Sequence, residues 1–370
     1  MKHSVRVIVA ILALAAPVFA QRSELPITGV ESRVDFWKKI FTQYGKDDIV
    51  LHDRFYVNLI YDVADESNVD SKTSQVTAAL KEISENLDTP DNLSLVARQI
   101  RESMTANGVT PSKSLIDQLI EGIHEQRGIK ERFRDGIVRS GRYVDSFRGV
   151  MNTHDVLTEL ALLPLVESSF QNARSKAAAL GIWQFTRSTG RLYMTINKKV
   201  DQRLDPDKAT QAAAKLLRDN YRALGSWPLA ITAYNHGRGG MLRAQSEHGS
   251  DIAKIINDYR GPVFGYASMN FYSEFLAAVD VYNNYTQYFG ELVLDKPGPG
   301  SKPAMVTAVA AKAPTPAKPK AAQVTDKYKV RNGDTLWEIA QKFGMTIREL
   351  MDKNKLSKPG IYAGQILLVK

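Results

Sequence analysis

The sequence predicts a mainly α-helical protein with a small α/β module at its C-terminal end. Apolar residues recur at three- and four-residue spacing through much of residues 113–288, as in amphipathic helices. A stretch rich in Pro, Ala and Lys follows, and the last 45 residues then change to a mixed strand and helix pattern. With 370 residues, of which 44% are hydrophobic and 24% charged, the chain can form two or three domains.

Helical periodicity is clearest in four segments ahead of the Pro-rich stretch, and no convincing series of strands appears there. These segments are residues 113–150, 154–166, 206–224 and 271–288. Asp205 and Ser226 are typical capping residues placed shortly before helix-opening prolines. Gly225 and Gly237 stand where helices should end. We therefore predict a helical central domain over residues 113–294.

The first twenty residues resemble a signal peptide. Lys2 and Arg6 precede an apolar run over residues 7–16, and small residues up to Ala20 suit a signal peptidase site. The alternative is a retained anchor, but the run is short for a bilayer span and no later stretch is long enough. We expect an exported, periplasmic or secreted protein that begins near Gln21. The chain has no cysteine, so disulfides and a lipoprotein anchor are not expected.

The sequence predicts an N-terminal helical region over residues 21–112, to which we assign no chemistry. Polar-rich helical stretches alternate there with loop-like segments, and no motif stands out. Packing around the central domain is one interpretation, and a lid or a substrate-steering role is the other.

The net charge of +9 is concentrated near the C-terminal end. Residues 302–370 hold 13 Lys/Arg against 5 Asp/Glu, and residues 21–301 hold 34 basic against 35 acidic residues. In an exported protein this distribution suits adhesion to an anionic wall polymer, or simply solubility, better than nucleic-acid binding. The six histidines are scattered without metal-ligand spacing, so we expect no metal and no cofactor.

Glu167 is the candidate catalytic residue. In a helix over residues 154–167, Val156, Leu160 and Leu163 share one face, and Glu167 continues their apolar stripe. Pro164 could bend the last turn and direct the carboxylate into a cleft, where poor hydration raises a carboxyl pKa toward neutrality. The alternative is a solvated glutamate at the end of a helix, and this segment alone does not decide between them.

Two later segments could surround such an acid. The run GIWQF over residues 181–185 combines bulky apolar groups with the Gln184 amide, a mixture that can desolvate an acid and hold a sugar. Ser175 lies in the intervening loop and offers another hydrogen bond. The run AYNHG places Tyr234 on the buried side of a short helix with Asn235 beside it. From the residues alone, this aromatic-rich segment is more typical of core.

The ordered runs LLPLVESSF, GIWQF and AYNHG resemble the soluble lytic transglycosylase (SLT) family, in the branch of membrane-bound lytic murein transglycosylase D. The resemblance spans about residues 132–287 and implies a lysozyme-like helical fold that acts on peptidoglycan. It implies Glu167 as acid and base, Ser175 and Gln184 as substrate contacts, and Tyr234 and Asn235 as support for the transition state. The loop between Glu167 and Gln184 is one residue shorter than in that family, which leaves the role of Ser175 open.

A single acid fits the reaction that the resemblance implies. Glycosidases ordinarily pair two carboxylates, and no second acid stands out here. We predict that a solvated segment contains Asp201, Asp205 and Asp207, and that Asp205 caps a helix there. The family's scheme instead uses the C6 hydroxyl of N-acetylmuramic acid as an internal nucleophile and leaves a 1,6-anhydromuramyl end. A hydrolytic muramidase and a catalytically idle wall-binding protein are the alternative functions.

The C-terminal residues 326–370 follow a linker over residues 295–325 and read as strand, helix, helix, strand. The runs YKVRNGDTLWEIA and IYAGQILLVK resemble the LysM family, which binds glycans that contain N-acetylglucosamine. The resemblance implies that glycan strands of peptidoglycan are the partner. It places the glycan groove at Gly333, Asp334, Thr335, Leu336, Leu356, Ile361 and Tyr362. Some apolar residues of the module, Trp337 and Ile339 among them, read as core instead.

Overall fold

The computed structural model describes residues 24–175, 177–298, 327–330, 339, 343, 345, 347–356 and 364–369. The chain forms two compact units, Met1–Ala304 and Met305–Lys370, and each is described by itself. The described residues are mainly helical with two small antiparallel sheets, which confirms the predicted fold class. The predicted signal segment lies outside the described residues, as does most of the predicted linker. Across the described residues, no helix is both long enough and apolar enough to cross a membrane.

The N-terminal part of the first unit contains four helices and a 3-10 turn at Pro90–Asn92. The helices are α1 (Glu31–Thr42), α2 (Val69–Glu85), α3 (Leu95–Ala106) and α4 (Lys113–Glu121). Ser94 and Ser112 cap α3 and α4, since each hydroxyl accepts a hydrogen bond from a first-turn amide. One apolar side of α2, α3 and α4 forms a small separate core around Leu80 and Ile116.

A three-stranded antiparallel sheet accompanies these helices, so the expectation of no strands ahead of the linker was wrong. The strands β1 (Ile49–Asp53), β2 (Ile60–Ala64) and β3 (Ile123–Arg127) lie in the order β2-β1-β3. In the register, Val50 faces Val63 on one side and Gln126 on the other. All five residues of β1 are buried, so this strand lacks the alternation by which sequence analysis finds strands.

The remaining helices of the first unit build the larger core. They are α5 (Lys130–Ser140), α6 (Val144–Thr153), α7 (Leu163–Glu167), α8 (Arg187–Tyr193), α9 (Pro206–Leu224), α10 (Trp227–His236), α11 (Arg238–His248), α12 (Ile252–Asp258), α13 (Tyr266–Asn283) and α14 (Tyr285–Phe289). Short 3-10 turns occur at Thr158–Leu162 and Gln202–Leu204. The long helix α9 has the bounds that the sequence predicts.

Capping explains the bounds of α9. The Asp205 carboxylate accepts hydrogen bonds from the amides of Asp207 and Lys208, and Pro206 occupies the first turn. Gly225 ends the helix with φ 66°, a left-handed conformation that glycine adopts without strain. Gly237 ends α10 at φ 91°. The predicted cap Ser226 precedes α10, although its side chain makes no capping hydrogen bond.

The predicted continuous helix over residues 154–166 was wrong. Helix α6 ends at Thr153, the 3-10 turn Thr158–Leu162 follows, and α7 then spans five residues. Pro164 stands in the first turn of α7, a position where its missing N–H removes no helical hydrogen bond. The proline therefore opens the short helix that ends at Glu167 rather than bending a long one. Leu163 and Leu165 of α7 are buried in the core.

Helix α13 connects the N-terminal part of the unit to the central helices. It packs along α1, and it also contacts α7 and α10. The Arg33 guanidinium donates to Asn270 Oδ1 and to the Phe55 carbonyl, both at 2.9 Å. The Tyr272 hydroxyl donates to the Pro26 carbonyl at 2.8 Å. Residues of α1 and α13 share one apolar core, so the N-terminal part braces the helix that borders the site described below.

The C-terminal unit has strand β4 (Lys327–Lys329), helix α15 (Ile347–Lys353) and strand β5 (Ile366–Leu368) among its described residues. The two strands pair antiparallel with Lys327 opposite Leu368. The Asn354 side chain joins the end of α15 to β5, because its amide donates to the Leu368 carbonyl and its Oδ1 accepts from the Leu368 amide. Ile339 is buried in the core of this unit, as predicted.

We predict that Arg33→Met lowers the free energy of unfolding by about 2–4 kcal/mol, because the Asn270 and Phe55 oxygens lose their charged donor. Methionine retains the apolar stem of the side chain. Urea denaturation of purified protein measures the change. Arg134→Met is the matched control, since the Arg134 guanidinium is about half exposed and, among the described residues, pairs with its neighbour Asp135. The control should change stability by no more than about 0.5 kcal/mol. Equal effects of the two substitutions would contradict this account.

Candidate active site

Glu167 is the last residue of α7, and its position is fixed by the abrupt end of that helix. Ser169 and Phe170 follow with φ 52° and 57°, which turns the chain away from the helix axis. The buried Ser168 hydroxyl donates to the Ile182 carbonyl at 2.7 Å. Arg139 of α5 donates through Nε to the Ser169 carbonyl at 2.9 Å. The backbone around Glu167 is thus held from two sides.

The Glu167 carboxyl is partly buried and has no hydrogen-bond or ion-pair partner among the described residues. Burial raises its pKa from 4.5 to about 8, because poor hydration disfavours the charged form. No cation among the described residues offsets this effect on Glu167. A carboxyl of this kind is protonated near neutral pH and can donate a proton.

Gln184 lies in the turn that contains Ile182, the residue whose carbonyl binds the Ser168 hydroxyl. The side-chain amide nitrogen of Gln184 already forms hydrogen bonds within the protein. Its Nε2 donates to the carbonyls of Ala173 and Gly181, at 3.0 and 2.7 Å. Its backbone has φ 49°, so this side chain stabilises an unusual turn. The Gln184 Oε1 has no hydrogen bond to a described residue and is the part of the amide that can accept one from a ligand.

Gly181 of this turn approaches a neighbouring chain segment closely. Its φ is +86°, and a Cβ placed there would lie 1.9 Å from the Arg203 carbonyl oxygen. Glycine is the residue that fits both constraints. The close approach holds residues 181–185 against the segment that leads into α9.

Ser175 stands in the loop between Glu167 and Gln184, which is described except for residue 176. Its backbone amide donates to the Ala179 carbonyl at 2.9 Å, and its Oγ accepts from the Ala179 amide at 3.1 Å. The hydroxyl therefore closes a tight turn, and its O–H can still donate to another group. The described part of this loop thus forms a turn with Ser175 at its base.

Tyr234 of α10 joins the same region. Its hydroxyl donates to the Trp183 carbonyl at 2.8 Å. The Tyr234 ring stacks on Phe271 of α13 with a centroid distance of 6.5 Å and an interplanar angle of 6°. Burial and the nearby Glu167 charge raise the Tyr234 pKa well above its ordinary value, so the phenol stays protonated.

Asn235 is exposed beside Tyr234 and is oriented by a residue that the sequence analysis missed. Ser268 of α13 is buried, and its hydroxyl donates to Asn235 Oδ1 at 2.8 Å. The Asn235 amide nitrogen is then left to donate to a ligand. Ser268 carries no recognisable signal in the sequence, because a small polar residue in a helix does not by itself indicate a functional role.

A second carboxyl, Glu274 of α13, lies in the electrostatic range of Glu167 and was also missed. It is partly buried, and burial together with the Glu167 charge raises its pKa to about 8. A signal for it existed in the sequence. Glu274 interrupts an apolar helical run, and that same observation drew attention to Glu167.

Asp201, Asp205 and Asp207, the other candidate acids of the sequence, have structural roles. Asp201 forms a two-pronged contact with the Arg203 guanidinium at 2.9 and 2.7 Å. Asp205 caps α9, and Asp207 is part of the first turn of that helix. Among the described residues, no group of three or more His, Asp or Glu side chains could hold a metal ion.

Two family models match the chain. Residues 150–257 match the model of the transglycosylase SLT domain, a segment that includes Glu167, Gln184 and Tyr234. Residues 328–370 match the LysM domain. The chain contains an SLT domain and a LysM domain. The matched SLT segment ends before α13, so Ser268 and Glu274 lie outside it.

Curated relatives match the two domains separately. The chain is 36% identical over 141 residues to "Membrane-bound lytic murein transglycosylase D" of Escherichia coli (strain K12), which covers 35% of this chain and 31% of that protein. It is 52% identical over 46 residues to "Cell wall-binding protein YocH" of Bacillus subtilis (strain 168), covering 12% of this chain and 16% of that protein. The chain thus spans about a third of the length of the transglycosylase relative.

Most of the predicted glycan-binding residues of the LysM domain lie outside the described residues. These are Gly333, Asp334, Thr335, Leu336, Ile361 and Tyr362. Leu356 is described, and it packs partly buried against the core of the C-terminal unit. Its backbone amide donates to the Met351 carbonyl at 2.9 Å, just after α15.

We predict that Glu167→Gln stabilises the protein increasingly as the pH rises. The pKa of Glu167 is raised on folding from 4.5 to about 8, so its stabilising contribution is complete below about pH 4.5 and is lost as the pH rises through 8. Glutamine does not titrate. The variant should therefore gain about 2–4 kcal/mol over the parent at pH 9 and little at pH 4.5.

Denaturation of both proteins at each pH measures this difference. Glu159→Gln is the matched control, because Glu159 is exposed and lies eight residues earlier in the chain. The control should stay within about 0.5 kcal/mol of the parent throughout. A difference between Glu167→Gln and the parent that does not change with pH would show that Glu167 is solvated.

Proposed function

We propose that this protein is a peptidoglycan lytic transglycosylase that cleaves the β-1,4 bond between N-acetylmuramic acid and N-acetylglucosamine. The carrying observation is the Glu167 carboxyl, which is desolvated, has no partner among the described residues and acts electrostatically on the Tyr234 phenol. The match of residues 150–257 to the SLT domain and the similarity to the E. coli transglycosylase support the same function. The reaction needs no metal and no cofactor.

In the proposed reaction Glu167 acts first as acid and then as base. The protonated carboxyl donates its proton to the glycosidic oxygen, and the bond from that oxygen to C1 of the muramic acid breaks. The resulting carboxylate then takes the proton of the C6 hydroxyl of the same sugar while that oxygen bonds to C1. The product is a 1,6-anhydromuramyl end. An internal nucleophile is already positioned, which favours ring closure without a water-activating base.

The neighbouring groups supply hydrogen bonds of defined direction. Gln184 offers an acceptor, Oε1, because both of its observed donor contacts are made within the loop. Asn235 offers the amide N–H that Ser268 leaves unused, and Ser175 offers its O–H. Tyr234 holds the Trp183 carbonyl and borders the Glu167 carboxyl as a neutral phenol. We assign these four residues to binding of the sugar hydroxyl and acetamido groups.

Hydrolysis is the second candidate function, because Glu274 supplies a carboxyl near Glu167. An inverting or a retaining hydrolase needs two carboxyl groups at a suitable separation, with one acting on water or on the anomeric carbon. The mass of the products separates the two reactions. Anhydro ends are lighter than hydrolysed ends by one water.

The LysM domain is assigned to binding of the glycan strand, and the protein to the cell envelope after export. The match of residues 328–370 to the LysM model supports the binding role, and a 52% identical segment occurs in a relative named as a cell wall-binding protein. The basic charge of residues 302–370 suits contact with an anionic wall. Two attachment points on one chain raise the effective concentration of the active site on the wall.

We predict that Glu167→Gln lowers the release of soluble muropeptides from purified sacculi by at least about 100-fold, since glutamine cannot exchange the proton. Mass spectrometry of the parent's products should show anhydro ends. The parent's rate should fall as the pH rises through about 8, where the Glu167 acid is lost. Glu159→Gln should retain the parent's rate. Full activity of Glu167→Gln, or products with reducing ends alone, would contradict the proposed reaction.

We predict that removal of residues 326–370 weakens sedimentation with sacculi by about tenfold or more, because one of two wall contacts is lost. Glu167→Gln in the full chain should sediment as the parent does. Cleavage of short soluble glycan fragments should change little on truncation, which separates lost attachment from a damaged active site. Unchanged sedimentation of the truncated chain would show that the LysM domain does not hold the wall.

A further inference from the structure

The first unit contains a second cleft, which includes none of the residues assigned to the sugar. It has a volume of about 750 Å³ and lies between the start of α1, the turn after β1, the end of α4 and the end of α12. Three arginines and two acids are among its lining residues, namely Arg33, Arg54, Arg260, Asp53 and Glu121. The proposed reaction leaves this cleft without a role.

The turn after β1 forms one wall of the cleft and is held in place by its own hydrogen bonds. Asp53 is 1% exposed, and its Oδ1 accepts from the amides of Phe55 and Tyr56 at 2.7 and 2.6 Å. The Phe55 carbonyl accepts from the buried Arg33 guanidinium at 2.9 Å. These contacts fix the backbone, while the side chains of Phe55 and Tyr56 remain 39% and 46% exposed. The turn therefore presents two aromatic rings in a preformed arrangement.

Two guanidinium groups lie over the Phe55 ring. The Cζ atom of Arg260 is 5.1 Å from the ring centroid, and that of Arg54 is 5.6 Å from it. A guanidinium held on an aromatic face directs its N–H groups outward in its own plane, where a carboxylate can pair with two of them. Arg260 is further oriented because it donates to the carbonyls of Tyr259 and Asn257, which uses two of its five N–H groups.

Arg54 is the stronger sign of a binding site. Its side chain has no hydrogen-bond or ion-pair partner among the described residues, although its Nε is buried. A buried donor of this kind is costly, and an anionic acceptor would satisfy it. The acids of the lining do not do so. Asp53 uses Oδ1 for backbone amides and has a buried Oδ2 without a described partner, and Glu121 is exposed.

The other lining residues indicate what could carry the anion. Leu119 and Ile256 contribute apolar groups to the wall, and Gln118 and Asn257 contribute side-chain amides. A carboxylate on a short peptide matches this mixture, because arginine pairs with both carboxylate oxygens, the amides can bind peptide groups, and the rings can cover small apolar side chains. A bare phosphate ion would use the arginines alone.

The loop between α12 and α13 connects this cleft to the proposed active site. Arg260 lies in that loop and lines the cleft. Phe264 lies farther along the same loop, and its ring contacts His236 edge-to-face with a centroid distance of 5.0 Å. His236 directly follows Asn235, which Ser268 orients. One short segment thus contributes to both places.

We propose that this cleft binds the carboxylate of a peptide stem of peptidoglycan, with Arg54 and Arg260 as the donors and Phe55 as the ring on which they are held. This inference rests on the proposed function, because the peptide stems are attached to the muramic acid of the glycan strand. A stem bound in the cleft adds a contact to a strand that also occupies the active site, which raises the effective concentration of that strand.

The test is a calorimetric titration of the full chain with the peptide stem freed from purified sacculi and stripped of sugar. The parent should bind it with a Kd below about 1 mM, and Arg54→Met and Arg260→Met should each raise the Kd by about tenfold or more, because a charged pair with the carboxylate is lost. Arg260→Lys keeps the charge without the planar fork and should give an intermediate Kd. Arg134→Met, an exposed arginine of α5, is the matched control and should keep the parent's Kd.

Two further probes identify the group that is bound. The same peptide with its carboxyls converted to amides should bind the parent about tenfold or more weakly. Inorganic phosphate at the concentration of the peptide should not displace it. Displacement by phosphate would overturn the peptide assignment in favour of a general anion site.

A parent protein that does not bind the peptide would overturn the inference, as would folded Arg54→Met and Arg260→Met proteins that keep the parent's Kd. Urea denaturation shows whether each variant is folded, and Arg260→Met decides the matter if Arg54→Met is not, since Arg260 is exposed. The titration involves no cleavage. If the parent yields no anhydro products, the proposed function fails, and the titration still decides whether the cleft binds a peptide carboxylate.

Discussion

The poor hydration of one carboxyl at the end of a five-residue helix is the constraint on which this site depends. Leu163 and Leu165 anchor α7 in the core, and the chain turns sharply at Ser169 directly after Glu167. The core thereby fixes the backbone while the carboxyl stays partly buried and without a partner among the described residues. Such a group costs stability above its raised pKa, and it is also the kind of group that can donate a proton near neutral pH.

Helix α13 supports the site through several of its side chains. Ser268 orients Asn235, Phe271 stacks on Tyr234, and Glu274 contributes a second carboxyl. Helix α1 packs along the same helix and is joined to it by the Arg33–Asn270 hydrogen bond. The N-terminal part of the chain, which has no chemical motif, therefore has a physical link to the geometry around Glu167.

Several site residues serve the backbone as well as a prospective ligand. Gln184 uses both observed donor contacts within its loop, and Ser175 accepts the amide that closes its own turn. The Tyr234 hydroxyl donates its hydrogen bond to the Trp183 carbonyl. In the proposed function, the groups left to bind a sugar are the Gln184 carbonyl oxygen, the Ser175 hydroxyl proton and the Asn235 amide protons. The direction of each hydrogen bond in the site follows from the fold.

The sequence by itself determined the local features. Asp205 and Gly225 set the bounds of α9, because capping depends on residues that are neighbours in the chain. The ordered runs around Glu167, Gln184 and Tyr234 were also sufficient to single out these three residues. The tertiary structure decided what depends on distant contacts. The fully buried strand β1 has no alternation to reveal it, and the helix before Glu167 is short because Pro164 opens it. Glu274 became part of the site only through the packing of α13 on α7, since no spacing in the chain relates residues so far apart.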